Sequence, residues 1–240
     1  MSLPKPYYQD DYVTLYQADC RDILPYLSQV NLIVTDPPYK LNNTTGTAGV
    51  VAKFACKWQG LLKVADVSAN IVNEIAFDKW LPLIAKSLAN PSHCYIFCND
   101  KNLERLLNIC KEEKLHLHNV LFWLKNNATP NRWYMKQGEF VIFLHKGKSF
   151  PINNLGSKTA LKYLSVQQKC HPTEKPVSLL KHLIENSSQK NDVVLDPFAG
   201  SGSTLLAARA LNRKSIGIEI DKKYCDLIVK RLNQKELSFG

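Results

Sequence analysis

Apolar runs and amphipathic stretches alternate along nearly the whole chain, which predicts strands and helices in turn and an α/β layered fold. Short apolar runs predict strands at Thr14 to Ala18, Asn31 to Thr35, His93 to Cys98, Asn119 to Lys125, Glu139 to His145, Asp192 to Asp196 and Ser215 to Glu219. Helical spacing predicts helices at Asp22 to Leu27, Asn102 to Glu113, Val177 to Ser187, Ser203 to Leu211 and onward from Glu219 to about Asn233. A longer helix from Ile71 to Leu88 is predicted from Ile71, Ile75, Trp80, Leu83, Ile84 and Leu88. Residues 40–70, 126–137 and 146–170 have no clear period and read as loops, and stretches that long in a compact domain usually carry function or are disordered. No internal repeat is visible, so residues 1–240 read as one doubly wound domain.

Composition narrows this picture. The chain has 240 residues, 45% hydrophobic and 22% charged, enough for a substantial core without disulfide or metal staples. Lys and Arg total 31 against 21 Asp and Glu, a net charge of +10 that suits a polyanionic partner, although basic proteins without one share this balance. The seven cysteines, 20, 56, 94, 98, 110, 170 and 225, form no CxxC pair and read as reduced thiols of a cytoplasmic protein with no metal site. No apolar run approaches the roughly 20 residues that span a bilayer, and the N-terminus lacks a signal core.

Two segments carry chemistry. Val194-Leu195-Asp196-Pro197-Phe198-Ala199-Gly200-Ser201-Gly202-Ser203-Thr204 reads as a strand, a glycine turn and a helix start. Glycines admit close approach of a ligand, and the helix N-terminus offers free N–H groups. Glu219 closes the next apolar strand, where an acid can accept both ribose hydroxyls of a nucleotide. The second segment is Asp36-Pro37-Pro38-Tyr39, where two residues without N–H donors force the chain out of the sheet.

Together these segments resemble the DNA amino-methyltransferases that use S-adenosylmethionine, whose catalytic motif is D/N/S-P-P-Y/F/W and whose cofactor motif is F-x-G-x-G. The catalytic motif comes first here, which is the circularly permuted, β-type order. His171-Pro172-Thr173-Glu174-Lys175-Pro176 resembles the segment that precedes the cofactor strand in that group, and Asp19-Cys20 its short motif near the N-terminus. The resemblance covers roughly residues 12 to 233. It implies a Rossmann-like methyltransferase sheet of seven strands whose first two are 192–196 and 214–219, with 119–125 and 139–145 as the terminal antiparallel hairpin. It also implies that Phe198, Gly200 and Gly202, with Asp196, Ser203 and Thr204 around them, line the methionine end of the cofactor. Glu219 would then bind ribose, Asp19 and Cys20 would approach the adenosine side, and His171, Thr173 and Lys175 would lie near the amino-acid carboxylate.

The implied chemistry accounts for the residue types of the catalytic motif. An exocyclic amine of a base is a poor nucleophile because its lone pair is delocalised into the ring. The Asp36 carboxylate and the Pro37 carbonyl can accept its two N–H groups, turning nitrogen towards tetrahedral geometry. Asp36 can also take the proton, directly or through water. Pro37 and Pro38 fix the backbone, and Tyr39 offers a π face to the base, a contact worth roughly 1–3 kcal/mol. A base within a duplex must be flipped out to reach such a pocket. Lys40, Lys53, Lys57 and Lys63 in one loop, and Lys125, Arg132 and Lys136 around another that holds Trp133 and Tyr134, are candidate DNA contacts.

By family usage Asp first in the motif favours adenine N6 as the target. Cytosine N4 is the alternative within the class, and a DNA-binding regulator that has lost catalysis is the alternative outside it. Little chain is left between the hairpin and His171 for reading a DNA sequence. By analogy with the group the resemblance suggests a homodimer, and it leaves open whether the chain partners a cognate restriction endonuclease or stands alone.

Overall fold

The structure is a computed structural model that describes residues 3–38, 75–129, 133–166 and 174–234. Its strands are β1 Tyr8–Gln9, β2 Val13–Gln17, β3 Val30–Thr35, β4 Leu88–Cys98, β5 Leu115–Thr129, β6 Lys136–Lys146, β7 Ala160–Lys162, β8 Val193–Asp196 and β9 Lys214–Glu219. Its helices are α1 Cys20–Ile23, α2 Phe77–Ser87, α3 Leu103–Glu112, α4 Val177–Ser187, α5 Ser203–Ala210 and α6 Lys222–Asn233. A 3-10 turn over Leu24–Tyr26 follows α1 and takes up the rest of the helix expected at Asp22 to Leu27.

The strands form one sheet in the order β1-β2-β9-β8-β3-β4-β6-β5-β7. The seven expected strands are its middle, β2-β9-β8-β3-β4-β6-β5, with β8 and β9 adjacent and parallel as anticipated. β6 runs antiparallel to both β4 and β5, which makes the expected hairpin. Among the described residues two short edge strands bring the count from seven to nine. β1 pairs antiparallel with β2 from Tyr8 and Gln9, and β7 pairs parallel with β5 from Ala160 to Lys162. At two or three residues each, neither leaves a periodic trace in the sequence.

The period-2 alternation of the central strands sorts the core into layers. Ile33, Cys94, Ile96, Cys98, Ile142 and Leu144 face a cluster with Ile23, Trp80, Ile84 and Leu106, so α1, α2 and α3 cover that side. Leu32, Val34, Tyr95, Phe97, Val141 and Phe143 point the other way, against Leu179, Leu183 and Ala207 of α4 and α5. Leu205 of α5 packs with Ile228 and Leu232 of α6 against Val13 and Leu15 of β2.

Boundaries moved where tertiary pairing overrode local pattern. The described part of the predicted 71–88 helix begins at Phe77, and Leu88, apolar at helical spacing, is the first residue of β4. Residues 126–129 are strand rather than loop. The Asn126 side-chain Oδ1 accepts the Ser165 N–H at 2.9 Å, and the Asn127 Oδ1 accepts the Ser165 hydroxyl at 3.2 Å. These contacts hold a turn-prone asparagine pair in extended form. Among the described residues no helix is long and apolar enough to cross a membrane. Cys20, Cys94, Cys98, Cys110 and Cys225 are buried free thiols, while Cys56 and Cys170 lie outside the described residues.

Candidate active site

The carboxyl ends of β3 and β8 lie side by side in parallel, Leu32 opposite Val194 and Ile33 opposite Leu195. β8 runs on through its crossover to β9 on one side, while β3 leads to β4 on the other, so a crevice opens where the connections diverge. Each of the two chemistry-bearing segments continues one of these strands, Asp36-Pro37-Pro38 from β3 and Asp196 to Gly202 from β8. The side chain of Thr35 joins them by donating to Asp196 Oδ1 at 2.8 Å.

The glycine turn is shaped by two left-handed residues, Gly200 at φ +52° and Gly202 at φ +78°. Gly202 is also crowded, since an added Cβ would stand 2.8 Å from Ile228 Cγ1 of α6. The Asp196 carboxylate braces the turn from below. It accepts the Phe198 N–H at 3.2 Å and the hydroxyls of Thr35 and Thr204. Burial pushes its pKa up to about 6, against these hydrogen bonds that lower it. Arg231 of α6 braces the turn from outside, donating to the Ser201 carbonyl at 2.7 Å and pairing with buried Glu174 at 2.8 Å. Ser203 and Thr204 are themselves buried at the start of α5. Phe198 meets Trp80 of α2 edge to face, with ring centroids 5.2 Å apart.

Glu219, at the end of β9, accepts the Gly200 N–H on Oε2 and the Asp221 N–H on Oε1, each at 2.8 Å. Burial raises its pKa, opposed by those two N–H groups. A carboxylate has about four lone-pair sites, so acceptor capacity remains on both oxygens for a vicinal diol. An acceptor of this kind, beside a turn without side chains at Gly200 and Gly202, fits the nucleoside cofactor expected there.

Asp19 is the N-cap of α1, and its carboxylate accepts the Arg21 N–H and guanidinium at 2.9 Å and 2.6 Å. The Cys20 side chain is buried in the core, where burial pushes its pKa up to about 12. Asp19 therefore pairs with Arg21, and Cys20 packs in the core beneath the sheet.

On the catalytic side, Pro37 is buried and Asp36 is largely so, with 19% of its side chain exposed. The Lys175 ammonium bonds Asp36 Oδ2 and lies 3.1 Å from Glu139 Oε2 and 5.1 Å from the Phe97 ring centroid. The other Glu139 oxygen is bonded by Lys125, whose ammonium stands 4.7 Å from the Trp123 ring centroid. Asp36 Oδ1 is buried and has no hydrogen-bond partner among the described residues. Burial drives Asp36 upward, against the pull of Lys175. It also drives Glu139 upward, but Lys175 and Lys125 outweigh it and hold that carboxyl below the usual range. Burial pulls Lys175 down, yet the two carboxylates keep its ammonium above the usual lysine value.

Lys175, expected near the cofactor carboxylate, pairs with Asp36, and Lys125, an expected DNA contact, pairs with Glu139. Lys136 is likewise engaged, with both Asp100 oxygens at 2.9 Å. Trp133 and Tyr134, before β6, are 79% and 93% exposed. Tyr39, Lys40, Lys53, Lys57, Lys63, Arg132, His171 and Thr173 lie outside the described residues. Thr35, Glu139, Glu174 and Arg231 escaped the sequence reading as site residues. The only trace of Glu139 is one acid at the head of an otherwise apolar strand.

Comparison with known proteins shows the family and the fold. A family described as DNA methylase, of N6 and N4 methyltransferases, matches residues 30–230. The type II methyltransferase M2.MboI of Moraxella bovis is 28% identical, over 96% of this chain and 92% of its own length. M2.DpnII of Streptococcus pneumoniae is 27% identical over 96% and 93% respectively. Among solved structures, the M1.HpyAVI–SAM complex superposes with a TM-score of 0.69 and 26% identity, covering 91% of this chain and 99% of that one. The cytosine-N4-specific PvuII DNA methyltransferase, at 17% identity and a TM-score of 0.76 over 98% of this chain and 91% of its own, shares the fold.

Proposed function

We propose that this chain, which belongs to the DNA methylase family of N6 and N4 methyltransferases, methylates the N6 amino group of adenine in a specific DNA site. The enzyme is a DNA methyltransferase that uses S-adenosylmethionine. The observation that carries the reading of the site is Asp36 Oδ1, a buried carboxylate oxygen at the crevice with no partner among the described residues. Burying such an acceptor is costly unless a donor arrives, and an exocyclic amine is a donor of the right kind.

In this reading Glu219 would hold the ribose of the cofactor, and the Phe198 to Gly202 turn, braced by Asp196, Thr204, Ser203 and Arg231, would hold its methionine end. The cofactor, when bound, supplies an electrophilic sulfonium methyl. Asp36 and the Pro37 carbonyl accept the two amine N–H groups and free the nitrogen lone pair for in-line attack. Tyr39 stacks on the flipped base. Adenine is preferred to cytosine because the motif opens with Asp. His171 and Thr173 belong, in the same reading, to the cofactor's amino-acid end.

The DNA lies across the crevice, and Trp133 and the segments 40–70, 126–137 and 146–170 are read as the ones that contact it. Lys40, Lys53, Lys57 and Arg132 are read as phosphate contacts. Residues 1–240 act as one methyltransferase domain in the cytoplasm. The type II names of the relatives support a cognate restriction endonuclease as partner, and we read a second copy of the chain as the other. Light scattering on the purified protein tests the dimer. Nucleoside analysis of DNA from cells expressing the chain tests the reaction, with N6-methyladenine expected and N4-methylcytosine in its place contradicting it.

A further inference from the structure

We propose that Lys175 is a positioning residue of the catalytic site: it pins Asp36 Oδ2, with Glu139 holding the ammonium from the other side, and so leaves Oδ1 as the oxygen presented to the target amine. This rests on the reading of Asp36 as the amine acceptor.

Four observations carry it. The Lys175 side chain is 7% exposed and reaches across from the segment before α4 to the end of β3. Its ammonium touches a carboxylate on each side, bonding Asp36 Oδ2 and standing 3.1 Å from Glu139 Oε2. Beneath it, 5.1 Å from the ammonium, is the Phe97 ring, a face that favours a cation and gives it no acceptor. Of the two Asp36 oxygens, the one Lys175 does not bond is the buried one without a partner among the described residues.

A free carboxylate turns about its last bond and offers either oxygen. One tied through Oδ2 to a buried lysine cannot, and the geometry at Oδ1 is set before substrate arrives. Glu139 sits opposite Trp123 on β6, next to Phe140, which pairs with Cys98 at the end of β4. The sheet thus fixes Glu139, Glu139 fixes Lys175, and Lys175 fixes Asp36. Lys125 completes the row on the far oxygen of Glu139, so two ammonium groups face two carboxylates and no net charge is buried.

This assignment makes Lys175 a partner of Asp36 instead of the cofactor carboxylate, and the two roles separate in kinetics. Lys175→Met in the full-length protein should lower the single-turnover rate of methyl transfer at saturating S-adenosylmethionine and DNA by roughly 100-fold. The Kd for S-adenosylmethionine, measured by calorimetry, should stay within about threefold, since the cofactor would lose no contact. Glu139→Gln, which keeps the volume, should lower the same rate by about tenfold, again with little change in cofactor Kd. A cofactor Kd weakened by tenfold or more, with the saturated rate preserved, would overturn the proposal, as would an unchanged rate. If Lys175→Met does not fold, Glu139→Gln decides alone, its unchanged rate counting against the proposal. No transfer by the wild-type protein to any DNA brings down the reading of the site. Wild-type transfer that Lys175→Met leaves untouched brings down only this proposal.

Discussion

The hydroxyl of Thr35 donates to Asp196 Oδ1 at 2.8 Å, and this one bond joins the last residue of the strand that delivers the catalytic motif to the first residue of the cofactor turn. Both partners are buried, at 1% and 4% exposure. The bond ties the end of β3 to the end of β8, and in the proposed reading it sets the separation between the amine acceptor and the cofactor turn.

Thr35→Val keeps the volume and removes the donor. A hydrogen bond to a carboxylate is worth about 1.5–3 kcal/mol, so denaturant unfolding should show a loss of that order. The rate of transfer should fall as well, because a misplaced acceptor is costly in an in-line reaction. Unchanged stability would show that the bond is not a strut.

Asp196 also gives a pH signature. Burial first of all lifts its pKa from 3.8 to about 6, so the folded chain binds this proton more tightly than the unfolded one. Its contribution to stability is therefore present in full below pH 3.8 and is lost as pH rises through about 6. Asp196→Asn cannot titrate and can still accept from Thr35. The stability of wild type minus that of the variant should fall by roughly 2 kcal/mol between pH 4 and pH 7. A flat difference would contradict the buried, proton-retaining carboxyl.

Glu219 spans the turn by accepting the N–H groups of Gly200 and Asp221. Glu219→Gln replaces one acceptor oxygen by an NH2 group, which faces a backbone donor or a ribose hydroxyl wrongly. S-Adenosylmethionine binding should weaken by about tenfold or more, equivalent to about 1.4 kcal/mol, and calorimetry measures it directly. Retained affinity would remove Glu219 from the cofactor site.

The exposed rings of Trp133 and Tyr134 stand before β6, beside the described end of β5. Trp133→Ala should cost about 1–3 kcal/mol of DNA affinity if the ring stacks or wedges. Arg132→Ala should weaken binding and flatten its salt dependence, whereas Lys136→Ala, already paired with Asp100, should change that slope less. Binding unchanged across several salt concentrations would move the DNA elsewhere on the surface.

Much of this was legible from the chain because the fold is written in short-range pattern. Val177–Ser187 is found as a helix at the residues its apolar spacing indicates, and Val193–Asp196 and Lys214–Glu219 lie within one residue of expectation. The glycine turn was legible because close backbone approach demands that residue type. The charge row was not. Asp36 and Lys175 are 139 positions apart, and Glu139 is a single acid in a strand, so nothing local marks them as partners. The sequence neighbours of Lys175 point to the cofactor, whereas its pairing with Asp36 and Glu139 is set by the sheet. The roles of Lys125 and Lys136 were hidden for the same reason, since their acids lie on other elements.

The central claim is that Asp36 accepts the amine of an adenine in DNA, and isotopically labelled transfer tests it most directly. Wild type and Asp36→Ala are incubated with methyl-labelled S-adenosylmethionine and DNA carrying its site, and the hydrolysed nucleosides are identified by mass spectrometry. The account predicts labelled N6-methyladenine from wild type and a loss of signal of at least about 1,000-fold from Asp36→Ala, with cofactor binding retained. Label on another base, or full transfer by the Asp36→Ala protein, would contradict it.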